Sequence, residues 1–128
     1  MTVARQSLGR EAEALVARRL EAAGWRVVER NARPPGLRGE LDLIAVDRDA
    51  LVFVEVKARR TGSDLGPERP AMAVGLRKQA KIRALAAAWL RERGYDVPRH
   101  RDLRFDVVGL RLDYAGNVTE YEHLRAAF

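Results

Sequence analysis

Apolar residues recur every three or four positions in two segments of the chain, and they alternate with polar residues or run together elsewhere. The first segment predicts a helix from residue 7 to residue 23. Ser7 is the expected N-cap of this helix, and Gly24 is the expected stop after its last turn. The apolar stripe of the helix consists of Leu8, Ala12, Leu15 and Ala22.

A second helix is predicted from about Gly75 to Arg93, with Gly94 directly after its end. We expect its apolar stripe to face the core, and we expect Trp25 and Trp89 to be core residues. This stripe consists of Ile82, Leu85, Ala86, Trp89 and Leu90.

The remaining apolar segments have the pattern of β-strands separated by loops rich in glycine, proline and polar residues. The strands are predicted at residues 25–30, 40–47, 50–58 and 103–110, with a weaker strand or an extended tail at 118–124, and the loops at 31–39 and 59–70. Helices and strands in this order predict an α/β fold with a central mixed β-sheet flanked by helices. The length suits a single domain, which we place at residues 1–128.

The second and third strands are close enough in sequence to form a hairpin with a two-residue turn at 48–49. This turn pairs Asp47 with Ala50 and thereby places Asp42 opposite Glu55. A shift of one residue would put Asp42 and Glu55 on opposite faces of the sheet. In the expected register, one face carries Leu41, Leu43, Ala45, Val52, Val54, Val56 and Ala58, and the other carries Ile44, Val46, Leu51 and Phe53.

Four charged residues share the second face at the end away from the turn: Glu40, Asp42, Glu55 and Lys57. Two carboxylates that face each other across a strand pair repel, and a shared proton or a cation relieves the repulsion. Oxygen ligands at a shared site suit Mg²⁺ or Mn²⁺. An alternative is an ordinary cross-strand ion pair between Glu40 and Lys57, with the two other acids at a solvated end of the sheet.

The composition fits a cytoplasmic protein and permits an affinity for polyanions. Hydrophobic residues make up 47% of the chain, cysteine is absent, and no apolar run approaches the length of a membrane span. Acidic residues lie where a signal peptide would be apolar. The net charge of +6 permits nucleic-acid binding, and 21 of the 24 basic residues are arginine. A lysine inside an apolar strand, as at position 57, therefore indicates that an amine is needed there.

Asp42, followed after twelve residues by Glu55-Val56-Lys57, resembles the PD-(D/E)xK signature of restriction-endonuclease-like nucleases. Leu41 stands where the name of that signature has proline. The segments "LGREAEALVARRL", "GELDLIA", "LVFVEVKAR", "KQAKI", "RFDVV" and "AAF" are similar, in this order, to the bacterial YraN-like family. That family is grouped with the nuclease fold, near the archaeal Holliday-junction resolvases.

The resemblance implies a restriction-endonuclease-like fold with Asp42 and Glu55 as metal ligands and Lys57 as the residue that orients or activates the attacking water. Glu11 matches the acid that related resolvases carry on the first helix, although it is equally well explained as a surface residue at the edge of the stripe. Gln79 and Lys81 match the helix after the motif, whereas we interpret Lys78 as part of a solvated helix end. The other basic residues expected to bind the nucleic-acid backbone are Arg38, Arg59, Arg60 and Arg77.

The implied function is Mg²⁺- or Mn²⁺-dependent hydrolysis of phosphodiester bonds in DNA. No segment resembles a module that reads bases, so selectivity for branched or damaged DNA is expected rather than sequence specificity. Resolvases act as dimers on two-fold junctions, which by analogy suggests a homodimer. Two alternatives stay open: a nucleic-acid-binding protein with an inactive site, and an unrelated α/β interaction module.

Overall fold

The computed structural model describes residues 3–64 and 66–128, so Met1, Thr2 and Leu65, which belongs to the second predicted loop, lie outside the described residues. Its main elements are helices α1 (Val3–Ala22) and α2 (Leu76–Arg93) and strands β1 (Arg26–Ala32), β2 (Leu41–Asp47), β3 (Ala50–Arg60), β4 (Asp102–Leu112) and β5 (Val118–Leu124). Short 3₁₀ turns at Pro70–Ala73 and Gly94–Asp96 flank α2.

The five strands form one mixed sheet in the order β1-β2-β3-β4-β5. Neighbouring strands are antiparallel except β3 and β4, which are parallel. A parallel pair needs a crossover connection, and α2 supplies it. The predicted α/β fold with a central mixed sheet is confirmed, and the arrangement is consistent with a restriction-endonuclease-like fold.

Each face of the sheet is covered by one α-helix and has its own apolar cluster. On one face, Ala12, Val16 and Leu20 of α1 pack against Leu43 and Val52. On the other face, the stripe of α2 packs against Ile44, Leu51 and Phe53. Both tryptophans are buried, as predicted. Since the strands carry apolar residues on both faces, the charged residues among them stand out as sites that packing does not explain.

The predicted hairpin register is confirmed. The ladder between β2 and β3 runs from Leu43–Val54 to Asp47–Ala50 and turns at Arg48 and Asp49. The ladder ends at the Leu43–Val54 pair, away from the turn. Beyond Val54, β3 still pairs with β4 along one edge but no longer pairs with β2 along the other.

The predicted face of Leu41 is wrong. Leu41 packs with Ala32, its partner on β1, in the cluster under α2, whereas Leu43 packs under α1. The regular alternation of side chains therefore does not extend beyond Leu43 toward the start of β2. This interruption frees Asp42 to lie between β2 and β3 instead of projecting from one face.

Helix and strand limits depart from the sequence prediction mainly at α1, which begins at Val3. Ser7 is therefore an interior helical residue and not an N-cap, because the helix-forming residues before it continue the helix. The predicted stop of α1 is confirmed by Gly24, whose φ of 95° lies in the left-handed region. The segment at 118–124 is a strand that pairs with β4. In the described part of the chain, neither helix is long and apolar enough to cross a bilayer.

Candidate active site

Asp42 lies at the start of β2, where β2 and β3 separate. The Val56 backbone N–H donates a hydrogen bond of 2.9 Å to Asp42 Oδ2. The carboxyl group of Asp42 also lies beside that of Glu55, and their negative charges repel. Two carboxyl groups can share a hydrogen bond only when one of them is protonated, so this pair favours a proton or a cation between its members.

Glu55 is 95% buried and faces two lysines from different elements. Its Oε1 lies 3.6 Å from Lys57 Nζ, on the same strand, and 3.7 Å from Lys78 Nζ, on the first turn of α2. The two ammonium groups thus approach the acidic pair through the same carboxylate oxygen. Each lysine keeps a partly exposed side chain, so the cluster opens toward solvent through them.

Burial determines the protonation of the acids. The pKa of Glu55 is raised to about 7, mainly by desolvation and next by the negative charge of Asp42, while the two lysines oppose the rise. Desolvation also raises the pKa of Asp42, although its hydrogen bond from Val56 N–H and the two lysines oppose the rise. Such a site is poorly neutralised by the protein itself, which favours a proton or a cation.

Two further acids lie beside Asp42. Glu13 of α1, Glu40 and Asp42 each place one carboxylate oxygen within 4.8 Å of the others. Desolvation, followed by the charge of Asp42, raises the pKa of Glu13 to about 7. Glu40 is held by Arg33 at 3.1 Å and by Arg10 at 3.7 Å. The predicted alternative of a Glu40–Lys57 ion pair is therefore not the arrangement seen.

The donor set fits a small divalent cation. Glu13 Oε2 is buried and has no hydrogen-bond partner in the described structure, and its nearest cationic nitrogen, on Arg10, is 3.6 Å away. A buried carboxylate oxygen without a partner is costly, and a cation would satisfy it. All the available ligand atoms are carboxylate oxygens, which is the donor type that Mg²⁺ and Mn²⁺ prefer.

A third buried acid, Asp106, has its charge neutralised by neighbouring groups of the protein. Asp106 is fully buried on β4 and binds Arg104, His123 and the Ala126 backbone N–H. Burial alone would raise the pKa of Asp106, but these hydrogen bonds outweigh it and lower the pKa. Asp106 therefore needs no further cation, in contrast to Glu13 and Glu55.

The structure brings Asp42, Glu55 and Lys57 together, but it does not bring Glu11 to them. Glu11 is exposed and lies 3.9 Å from Arg60 near the end of β3. Two residues that the sequence did not assign to the site do join the cluster: Glu13 places a carboxylate oxygen within 4.8 Å of one on Asp42, and the partly exposed Lys78 contacts Glu55.

The basic and polar residues expected to bind nucleic acid occupy different positions. Arg38 and Arg77 are exposed, and Arg59 and Arg60 lie at the end of β3. Lys81 approaches Gly39 in the loop before β2. Gln79 donates a hydrogen bond to the Val74 carbonyl and so helps to fix the start of α2.

The chain is similar to bacterial proteins of closely matching length. A model described as "Uncharacterised protein family UPF0102" matches residues 12–110. The UPF0102 protein of Rhodococcus jostii is 47% identical over 95% of this chain and 96% of its own length. The UPF0102 protein of Pelotomaculum thermopropionicum is 41% identical over the full length of both chains. The matched range contains Glu13, Asp42, Glu55, Lys57 and Lys78.

Proposed function

The chain belongs to the UPF0102 (YraN-like) family, and we propose that it is a metal-dependent endonuclease that hydrolyses phosphodiester bonds in DNA. The observation that carries this proposal is the position of Asp42, which accepts a 2.9 Å hydrogen bond from Val56 N–H, beside the buried Glu55, with Lys57 Nζ 3.6 Å from Glu55. Two such carboxyl groups beside one amine provide the parts that hydrolysis of a phosphodiester requires: anchoring oxygens for a cation and a group that stabilises developing negative charge.

Asp42, Glu55 and Glu13 would hold one or two Mg²⁺ or Mn²⁺ ions. When bound, such an ion polarises a phosphoryl oxygen, makes water more acidic and offsets charge on the leaving oxygen. Both carboxyl groups would have to be ionised to serve as ligands, so metal binding would compete with their protonation. The Val56 N–H would keep Asp42 oriented throughout.

Lys57 is placed to hold a water molecule in line with the scissile phosphate or to stabilise the negative charge that develops on it. Its side chain is about one-quarter exposed, so it lies at the mouth of the acidic cluster. Lys78 comes from the helix side and contacts the same oxygen of Glu55. We assign Lys78 to positioning Glu55 and Lys57 to the contact with the reacting phosphate.

DNA is the proposed substrate because the chain has a net charge of +6 and exposed arginines that flank the cluster in sequence, among them Arg38 and Arg77. Such residues bind phosphates without reading sequence. Specificity would then come from the shape of the DNA, which favours branched or otherwise irregular substrates.

Cleavage assays on linear, nicked, flapped and four-way DNA with Mg²⁺ or Mn²⁺ test the proposal. We expect wild-type protein to cleave at least one substrate, and Asp42→Asn and Lys57→Ala to lose about 100-fold or more in rate while binding DNA. Lys78→Ala should lose less than Lys57→Ala. DNA binding without cleavage by the wild type would instead support a binding protein with an inactive site. Equal cleavage by all variants would point to a contaminating nuclease.

A further inference from the structure

A groove begins at Lys57 and follows the part of β3 that has separated from β2. It has a volume of about 710 Å³, within the range of sites that hold small ligands. One wall is the first part of α1, with Ala4, Leu8 and Gly9, and the other is the loop after β3, with Ser63 and Gly66. Because this edge of β3 has no β2 beside it, the groove continues from the acidic cluster along the strand.

The charge of the groove suits a polyanion. Four of its lining residues are basic, namely Arg5, Lys57, Arg59 and Arg60. None of the lining residues that the structure describes is acidic. A second open cavity, of about 500 Å³, differs because its three arginines are balanced by three aspartates, Asp47, Asp49 and Asp102. The groove at Lys57 instead combines cavity volume with an excess of basic over acidic lining residues, and the acids that contact Lys57 and Arg60 lie outside its described lining.

An aromatic ring stands at the far end of the groove. Tyr114, in the turn between β4 and β5, is 88% exposed although it lines the groove. The Arg60 guanidinium lies 5.1 Å from the centre of its ring and is itself fixed by a 2.9 Å hydrogen bond to the Asp113 carbonyl. The Arg60 guanidinium thus contacts one face of the Tyr114 ring, and the remainder of the ring is exposed to solvent. A nucleic-acid base can stack on an aromatic ring exposed in this way.

We propose that this groove binds an unpaired strand of the DNA substrate, with a base stacked on Tyr114 and phosphates against Lys57 and Arg59. The bases of an intact duplex are stacked on one another and offer no face to a side chain, whereas unpaired nucleotides do. Arg59 is held at the groove wall by its hydrogen bond to the Ala58 carbonyl, so its position is fixed before binding. The inference rests on the proposed nuclease function and narrows its substrate to DNA with a single-stranded arm beside the cleavage point.

The test measures binding of a labelled oligothymidine and of a labelled hairpin duplex by fluorescence anisotropy, with EDTA present so that no cleavage occurs. We expect Tyr114→Ala to weaken oligothymidine binding about 5- to 100-fold and to leave duplex binding unchanged, since stacking on one aromatic ring contributes that much per base. Tyr114→Phe should bind like the wild type because the ring is kept. Tyr95→Ala is the matched control: Tyr95 is also fully exposed but lies beyond the far end of α2.

A second variant gives an independent measurement. Arg59→Ala should reduce the slope of log affinity against log salt for oligothymidine by about one, as expected for one lost phosphate contact. Melting temperatures of all variants identify any that are unfolded.

The inference is overturned if the wild type does not bind oligothymidine, if Tyr114→Ala binds it as well as Tyr95→Ala does, or if Tyr114→Ala weakens duplex binding equally. Cleavage by wild-type protein in Mg²⁺ is scored separately. If only the groove proposal is wrong, the wild type still cleaves DNA but the binding results differ from those expected. If the nuclease proposal is wrong, the wild type does not cleave DNA, whatever the binding results are.

Discussion

The carboxylate of Asp42 accepts a hydrogen bond from the backbone N–H of Val56 at the point where the strands of the hairpin part. A side chain there takes the place that a backbone carbonyl of β2 would occupy if the ladder continued. The contact has two effects: it gives the N–H of Val56 a partner, and it holds Asp42 in the opening between the strands. There its carboxyl group meets both Glu55 from β3 and Glu13 from α1.

Asp42→Asn should stabilise the metal-free protein and abolish its binding of divalent ions. The amide oxygen can still accept from Val56 N–H, while the negative charge beside Glu55 is lost. We expect a gain of about 1 kcal/mol in the free energy of unfolding at pH 8, measured by urea denaturation with EDTA. Calorimetric titration with Mn²⁺ should show heat for the wild type and none for the variant. Equal heat from both proteins would contradict the assignment.

Glu13 and Glu11 offer a matched pair on the same helix. Glu13→Gln should weaken Mn²⁺ binding about tenfold or more, because Glu13 lies with Asp42 in the carboxylate group, whereas Glu11→Gln should leave it unchanged, because Glu11 faces Arg60. Both variants remove one charge from α1, so a general electrostatic effect would weaken binding in both. A loss of Mn²⁺ binding in Glu11→Gln alone would instead support the role for Glu11 that the resemblance implies.

The hairpin was predictable because two local rules agree on it. A two-residue turn fixes the register, and the two-residue period of a strand then decides which side chains share a face. Those rules placed Asp42 beside Glu55 correctly. They failed at Leu41, where the ladder has ended and a partner on β1, Ala32, decides the packing instead.

Glu13 on α1 was missed for a different reason. In an alanine-rich helix, hydrophobicity barely separates the buried side from the exposed one: of the predicted stripe, Ala12 is buried, Leu8 and Leu15 are half-buried, and Ala22 is exposed. The stripe that is buried contains Val16, Ala17 and Leu20, and Glu13 precedes them by three, four and seven residues. That spacing places Glu13 on the buried side of α1 and was the signal available in the sequence. Lys78 lies four residues before the buried Ile82, so its spacing likewise places it on the buried side of α2.

The packing of the 3₁₀ turn on β4 leads to a prediction about stability. A Cβ on Gly109 would lie 2.2 Å from the Ala71 backbone nitrogen and 2.7 Å from its Cα, so a side chain there must push two backbones apart. Gly109→Ala should destabilise the protein by about 2–4 kcal/mol. Gly9→Ala is the control, because Gly9 lies in α1 with no atom within 4 Å of an added Cβ, and alanine there should stabilise by about 0.5–1 kcal/mol. Thermal unfolding of the two variants should therefore shift in opposite directions.

The acidic cluster should make the metal-free protein less stable as the pH rises through neutrality. Desolvation raises the pKa values of Glu13 and Glu55 to about 7 in the folded protein, from 4.5 in the unfolded chain. The folded state therefore binds more protons than the unfolded state between these values, and the free energy of unfolding must fall as pH increases across that window. Asp106 has a lowered pKa, so its contribution changes only at more acidic pH.

The measurement is urea denaturation in EDTA from pH 5 to pH 8, repeated with saturating Mg²⁺. Without metal, we expect a loss on the order of 2 kcal/mol toward pH 8. Glu55→Gln should make this loss smaller, because one of the groups with a raised pKa is gone. With Mg²⁺ the slope should reverse, since the ion competes with protons for the same carboxylates and binds more tightly as they ionise. A metal-free stability that rises from pH 5 to pH 8 would mean that the carboxyl groups are already neutralised within the protein, and the cation site would then have no electrostatic basis.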